Sequence, residues 1–270
     1  MHNKPRRPRY FTQSLKMLWD KTFSYQPGIP LCFLLSVIIY CSISSFSLIK
    51  PFTLDEAIPM ADNASAINTY GLKAMGLSNP EHPHKSRYEV AHPLLYHFLL
   101  SIHFFIFGEN TVSGRLMALF CFVITLLLIL MISRQLFSGN KGSMVGILAI
   151  FFFSINPFCI QHSLLLDIDT TILPVLIMIF YYGFLRFGIG KTTFSIMVLS
   201  TLFAMCLWAK EITPYFVLLS MLIYLSVARN IRSALTISGL IGLLGTLLFI
   251  ISWIIFCHFT NVPICNTLAL

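Results

Sequence analysis

An all-α bundle of about seven membrane-crossing helices is the fold class this sequence predicts. Three observations carry the prediction. Of 270 residues, 57% are hydrophobic and 10% charged, against roughly a quarter charged in a soluble domain. The mean hydropathy is +0.81, more apolar surface than one water-facing core could bury. The apolar residues also form long runs of about the length that spans a bilayer.

The elements follow in order. Residues 1–29 are a basic stretch expected in the cytoplasm. The run 30–49 is long enough to span and too long for the core of a signal peptide, so it reads as a retained first helix. Runs 114–133, 142–161, 170–187, 213–228 and 234–257 are further spans, and 194–209 is a somewhat short seventh. The run 92–107 is ambiguous, with 16 residues, three histidines (His92, His97, His103) and Pro93 near its start.

Charge decides how that run is read. If 92–107 does not cross, one side of the membrane holds 12 of the 18 basic residues and a single acid, Asp20. The other side then holds 9 of the 10 acids. If it does cross, the clusters Arg134–Lys141, Arg186–Lys191 and Arg229–Arg232 move outside, against the preference of positive charge for the cytoplasm. The expected organisation is therefore a membrane domain over 30–257 with a long outer loop, 50–113, and an outer tail, 258–270. Within that loop, 92–107 is re-entrant or interfacial and 55–70 has room for a short helix lying on the membrane.

The net charge of +8 does not indicate nucleic acid, because the basic residues sit in short clusters between apolar runs. The seven cysteines make no CxxC pair and read as small buried hydrophobes. Residues 188–193 (Gly-Ile-Gly-Lys-Thr-Thr) imitate the end of a P-loop, but Leu185 stands where its first Gly belongs. Gly239, Gly242 and Gly245 suit close helix packing. Asn63-Ala64-Ser65 is a glycosylation sequon, with meaning only in a eukaryotic host.

The chemistry-bearing residues gather on the outer side. Asp55 and Glu56, just after the first helix, suit a divalent cation (Mg or Mn) or a proton taken from a hydroxyl; a plain solvated acid pair reads equally there. Asp167 and Asp169 sit where the third helix passes to the fourth, a costly place for carboxylates unless they are paired or wet. Lys210 and Glu211 lie in a very short connection, where the Lys suits a phosphate or a local salt bridge. Arg115 is a cation on the side where cations are scarce, which suggests an anionic partner, with Glu109 one candidate. His92 opens the ambiguous run and by itself reads as structural. Carboxylates mixed with Arg and Lys suit departure of a phosphate leaving group, the cations stabilising the charge that develops.

The order of motifs is informative: Leu54-Asp55-Glu56, then His92-Pro93-Leu94-Leu95-Tyr96, then Phe107-Gly108-Glu109 with Arg115-Leu116, Leu166-Asp167-Ile168-Asp169 and Ala209-Lys210-Glu211. It resembles the GT-C glycosyltransferase superfamily, most of all the branch of protein O-mannosyltransferases and aminoarabinose transferases, over roughly residues 31–218. The resemblance implies inverting transfer of a sugar from a polyprenyl-phosphate donor to a lipid, glycan or protein hydroxyl on the extracytoplasmic face. It implies Asp55 as general base, Glu56 as its helper or a metal contact, and His92 in the same loop. Arg115 and Lys210 would hold the donor phosphate, with Asp167, Asp169 and Glu211 completing the substrate site. A bacterial inner membrane is the expected home. Two other classes fit parts of the pattern: a truncated, non-catalytic relative, and a transporter or lipid flippase. Charges at helix ends and the lack of a visible inverted repeat favour the enzyme.

Overall fold

A computed structural model describes residues 28–52, 57–72, 94–137, 140–187, 193–228 and 230–260. Every regular element among them is helical. In chain order these are α1 (Gly28–Leu48), a π-helical turn (Ala57–Asp62) running into α2 (Asn63–Tyr70), α3 (Leu95–Phe107), α4 (Thr111–Leu136) and α5 (Asn140–Ile155). Then come α6 (Pro157–Ser163), α7 (Ile172–Arg186), α8 (Thr193–Ala209), α9 (Thr213–Ala228) and α10 (Ile231–Thr260). Six of the seven expected spans each coincide with one helix, and the seventh, 142–161, falls on the α5–α6 pair.

The long helices pack as a continuous series of neighbours, α1–α5–α4–α7–α8–α10–α9. Tyr40, Phe122, Leu126, Leu130 and Ile150 close the seam among α1, α4 and α5. Phe180, Leu199, Phe203, Met221 and Ile241 close the one among α7 to α10. The outward faces are apolar too: Leu31, Leu34 and Leu35 on α1 and Leu243, Leu247 and Ile251 on α10 are exposed. Helices apolar on both inner and outer faces need lipid around them, and this is a multi-pass membrane protein. Three helices are long and apolar enough to cross by themselves: α1, α4 and α10. The α5–α6 pair qualifies only when taken together, and α3, α7, α8 and α9 are shorter apolar helices.

The glycines of α10 divide by position. A Cβ at Gly245 would stand 2.8 Å from the Ser200 carbonyl oxygen and 2.7 Å from the Phe203 ring. One at Gly242 would meet Leu218 at 2.8 Å, whereas Gly239 faces open space. The packing role expected of all three thus falls to Gly242 and Gly245.

One expected span is broken. The run 142–161 bends by 73° between α5 and α6. The Asn156 side-chain oxygen accepts hydrogen bonds from the Phe158 and Cys159 N–H groups, at 2.9 and 3.4 Å. Pro157 follows in the first turn of α6, with no N–H to continue the preceding ladder. The bend carries Ser163 back under α1, where its hydroxyl bonds Tyr40 Oη at 2.6 Å.

Two short helices cover one end of the bundle. α3 has 13 residues, roughly 20 Å of helix, well short of the ~30 Å hydrocarbon core. Tyr96, Leu100 and Phe104 point inward, while Phe98, Ile102 and Phe105 are exposed. The Ser101 hydroxyl donates to Asn68 Oδ1 at 2.9 Å, tying α3 to α2. Asn63, the sequon asparagine, is 2% exposed, so the folded chain offers it to no glycan-adding enzyme. Of the cysteines, Cys121, Cys206 and Cys257 are buried, Cys41 and Cys159 partly so, and Cys32 faces outward; none of these six is in a disulfide.

Candidate functional site

The site grows from the segment Leu164–Thr171 between α6 and α7. Its Leu166-Asp167-Ile168-Asp169 alternation sorts the side chains. Leu166 and Ile168 are 0% and 1% exposed and enter a core with Tyr96, Leu100, Phe104, Met117 and Leu173. The alternating aspartates are left less covered, Asp167 half-buried and Asp169 exposed. The segment is braced from within: the Thr171 hydroxyl donates to the Asp167 carbonyl at 2.5 Å and the Thr170 hydroxyl to the Leu165 carbonyl at 3.2 Å. Burial first, then the charge of Asp169, push the Asp167 carboxyl up from its ordinary value. The backbone N–H groups of Ile168 and Asp169 and the Lys210 ammonium pull the other way.

Lys210 meets this segment from α8. Its backbone N–H closes the last turn of that helix on the Cys206 carbonyl at 2.9 Å, and its ammonium bonds Asp169 Oδ2 in an ion pair. The side chains are 27% and 45% exposed, so the pair is open to solvent. Glu211 follows, partly buried. Trp208, two residues before Lys210, lies 5.1 Å from Trp253 and donates to the Ser252 hydroxyl at 2.7 Å, which seats the end of α8 against α10.

Arg115 opens α4 and is 5% exposed. Its guanidinium donates to three main-chain carbonyls: Leu164 at 2.5 Å, Pro51 at 3.2 Å and Lys50 at 3.3 Å. The Phe52 ring stacks on it, 5.6 Å from the centroid. Gly114 makes this approach feasible, since a Cβ there would lie 2.8 Å from Phe52 and 3.0 Å from Leu166. Arg115 therefore ties the chain leaving α1 to the chain leaving α6. Upstream, Gly108 takes φ 86° to turn out of α3, a conformation that favours glycine. Asn110 then caps α4 by accepting from the Ser113 N–H at 2.9 Å.

The geometry thus puts the start of the outer loop, Arg115, both aspartates and Lys210 at one end of the bundle. Comparison with known proteins adds a family. The profile of the dolichyl-phosphate-mannose-protein mannosyltransferase family matches residues 91–256, more than half of the 270-residue chain. The chain belongs to this family. It is a membrane glycosyltransferase of the GT-C type. No curated protein and no solved structure matches it.

Within this mannosyltransferase-family chain the matched stretch contains His92, Arg115, Asp167, Asp169, Lys210 and Glu211, while Asp55 and Glu56 precede it. Asp55, Glu56 and His92 lie outside the described residues, as do Cys265 and the P-loop-like residues 188–192. Among the described residues no three His, Cys, Asp or Glu side chains converge as metal ligands. Asp55 and Glu56, the pair expected to suit Mg or Mn, lie outside that set.

Sequence reasoning passed over two features of this mannosyltransferase relative. Asp62, at the end of the π-helical turn, has its carboxyl pushed up by burial and then by the charge of Glu109, two acids that nothing in their sequence positions pairs. Phe52, the platform for Arg115, carries no motif at all; an aromatic next to a helix end is too common to single out.

Proposed function

We propose that this chain transfers a sugar from a polyprenyl-phosphate donor to an acceptor hydroxyl, on lipid, glycan or protein, at the extracytoplasmic face. The observation that carries the reading is the convergence at one bundle end. There Arg115 joins Pro51 and Phe52, which lead into the segment bearing Asp55 and Glu56, to Leu164 at the start of the segment that carries Asp167 and Asp169, and Lys210 pairs with Asp169. A cation beside carboxylates, at the membrane boundary, suits chemistry that expels a lipid phosphate.

In this mechanism the Asp55 carboxylate takes the acceptor O–H proton. The freed oxygen attacks the anomeric carbon from the face opposite the phosphate. As the new C–O bond forms, the bond from the anomeric carbon to the phosphate oxygen breaks, and its electron pair leaves with the polyprenyl phosphate. Inversion follows from this single displacement. Lys210 meets the developing phosphate charge, and Arg115 joins it from the other side of the Asp167–Asp169 segment. We assign Glu56 the role of helper to Asp55, and His92 and Glu211 roles in substrate binding.

Removing a general base costs roughly 10²–10⁴-fold in rate. Asp55→Asn is expected to lose transfer from a polyprenyl-phosphate-linked sugar by at least about 100-fold, read as radiolabelled product in reconstituted vesicles. Transfer at the wild-type rate would remove Asp55 as the base. No transfer by wild-type protein from any such donor would favour the transporter or scaffold classes.

A further inference from the structure

We infer that Asp169 is a resident counter-ion that holds the Lys210 ammonium in place and gives it up to the phosphate oxyanion of an incoming lipid. This rests on the reading of Lys210 as the group that meets the donor phosphate. Three observations carry it. First, the ion pair joins two segments each held independently of it: Lys210 by its N–H bond to Cys206 at the end of α8, and Asp169 by the threonine-braced turn before α7. Breaking the pair therefore leaves both backbones in place. Second, the side chains are 27% and 45% exposed. An ion pair so open to water is weak, so a competing anion can displace it. Third, Asp167 stands two residues from Asp169, and both Asp169 and Lys210 act on its carboxyl through their charges, so a second acid lies near the pair.

A phosphate brings more charge and more acceptor oxygens to Lys210 than one carboxylate does. Asp169 then swings free and rehydrates, and the two aspartates remain as a negative border that disfavours a second anion. The carboxylate sets how tightly the donor binds, by competing with it. This differs from a direct ligand, whose loss weakens binding, and from a merely structural pair, whose loss lowers stability and leaves affinity alone.

The test uses the full chain in lipid nanodiscs and equilibrium binding of a radiolabelled short-chain polyprenyl monophosphate, with inorganic phosphate as competitor. Asp169→Asn is expected to bind the lipid phosphate roughly two- to five-fold more tightly, the factor that an exposed ion pair of up to about 1 kcal/mol represents. Inorganic phosphate should compete more strongly by a similar factor, which assigns the effect to the oxyanion and not to the lipid chain. Unchanged or weaker binding by Asp169→Asn overturns the exchange. Lys210→Ala separates the two ideas: it is expected to lose roughly tenfold or more in affinity. Wild-type affinity in Lys210→Ala would instead overturn the phosphate reading of Lys210 itself.

Discussion

Asp167 carries a cost that can be measured. Its carboxyl is pushed up mainly by burial and next by Asp169, so its ionised form is less favoured in the folded chain than in the unfolded one. At neutral pH the folded chain pays for that ionisation, and Asp167→Asn removes the cost. The variant should melt higher than wild type at about pH 7, and the gain should vanish as pH falls below the unfolded value of about 4, where both carboxyl states are neutral. Scanning fluorimetry in detergent checks this; a gain that persists unchanged in acid would contradict it. Residue-scale chemistry was only half legible in the sequence. The Leu-Asp-Ile-Asp alternation announces which side chains are buried. The partner of Asp169 does not announce itself, because Lys210 is 41 positions away. The partners of Arg115 were hidden for another reason: main-chain carbonyls leave no mark in a sequence. Three carbonyl oxygens and a ring are among the partners it meets.

Among elements, the α8–α10 contact is set by Gly245. A methyl group there meets the Ser200 carbonyl oxygen at 2.8 Å, which is main chain and cannot rotate away. The two helices must then separate. Gly245→Ala is expected to destabilise the chain by roughly 1–3 kcal/mol, the usual cost of overpacking. Gly239→Ala, facing open space, should be neutral or gain up to about 1 kcal/mol from helix propensity. Unfolding in increasing denaturing detergent compares the two, and equal midpoints would refute the assignment. The helices themselves were legible because long apolar runs have few alternative folds. The break in 142–161 was not anticipated, although Asn156-Pro157 carries it. Run length alone conceals a cap and a proline when every neighbouring residue is apolar.

For the whole molecule, we propose a seven-helix path, which puts Glu109 and Lys141 on opposite sides of the membrane. Both are exposed. Introduced singly as Glu109→Cys and Lys141→Cys in a background without native cysteines, they should differ sharply. A membrane-impermeant thiol reagent added outside sealed cells should label the first and spare the second. The reverse pattern would invert the topology, and labelling of both would break it. The buried Asn63 adds a constraint on time. In a host that reads sequons, attachment of a glycan and docking of α2 are mutually exclusive events at one residue. Whichever comes first, during synthesis or just after, forecloses the other. A single asparagine would thus record how quickly that end of the bundle closes: an unmodified chain closed early, and a glycosylated one never closed there.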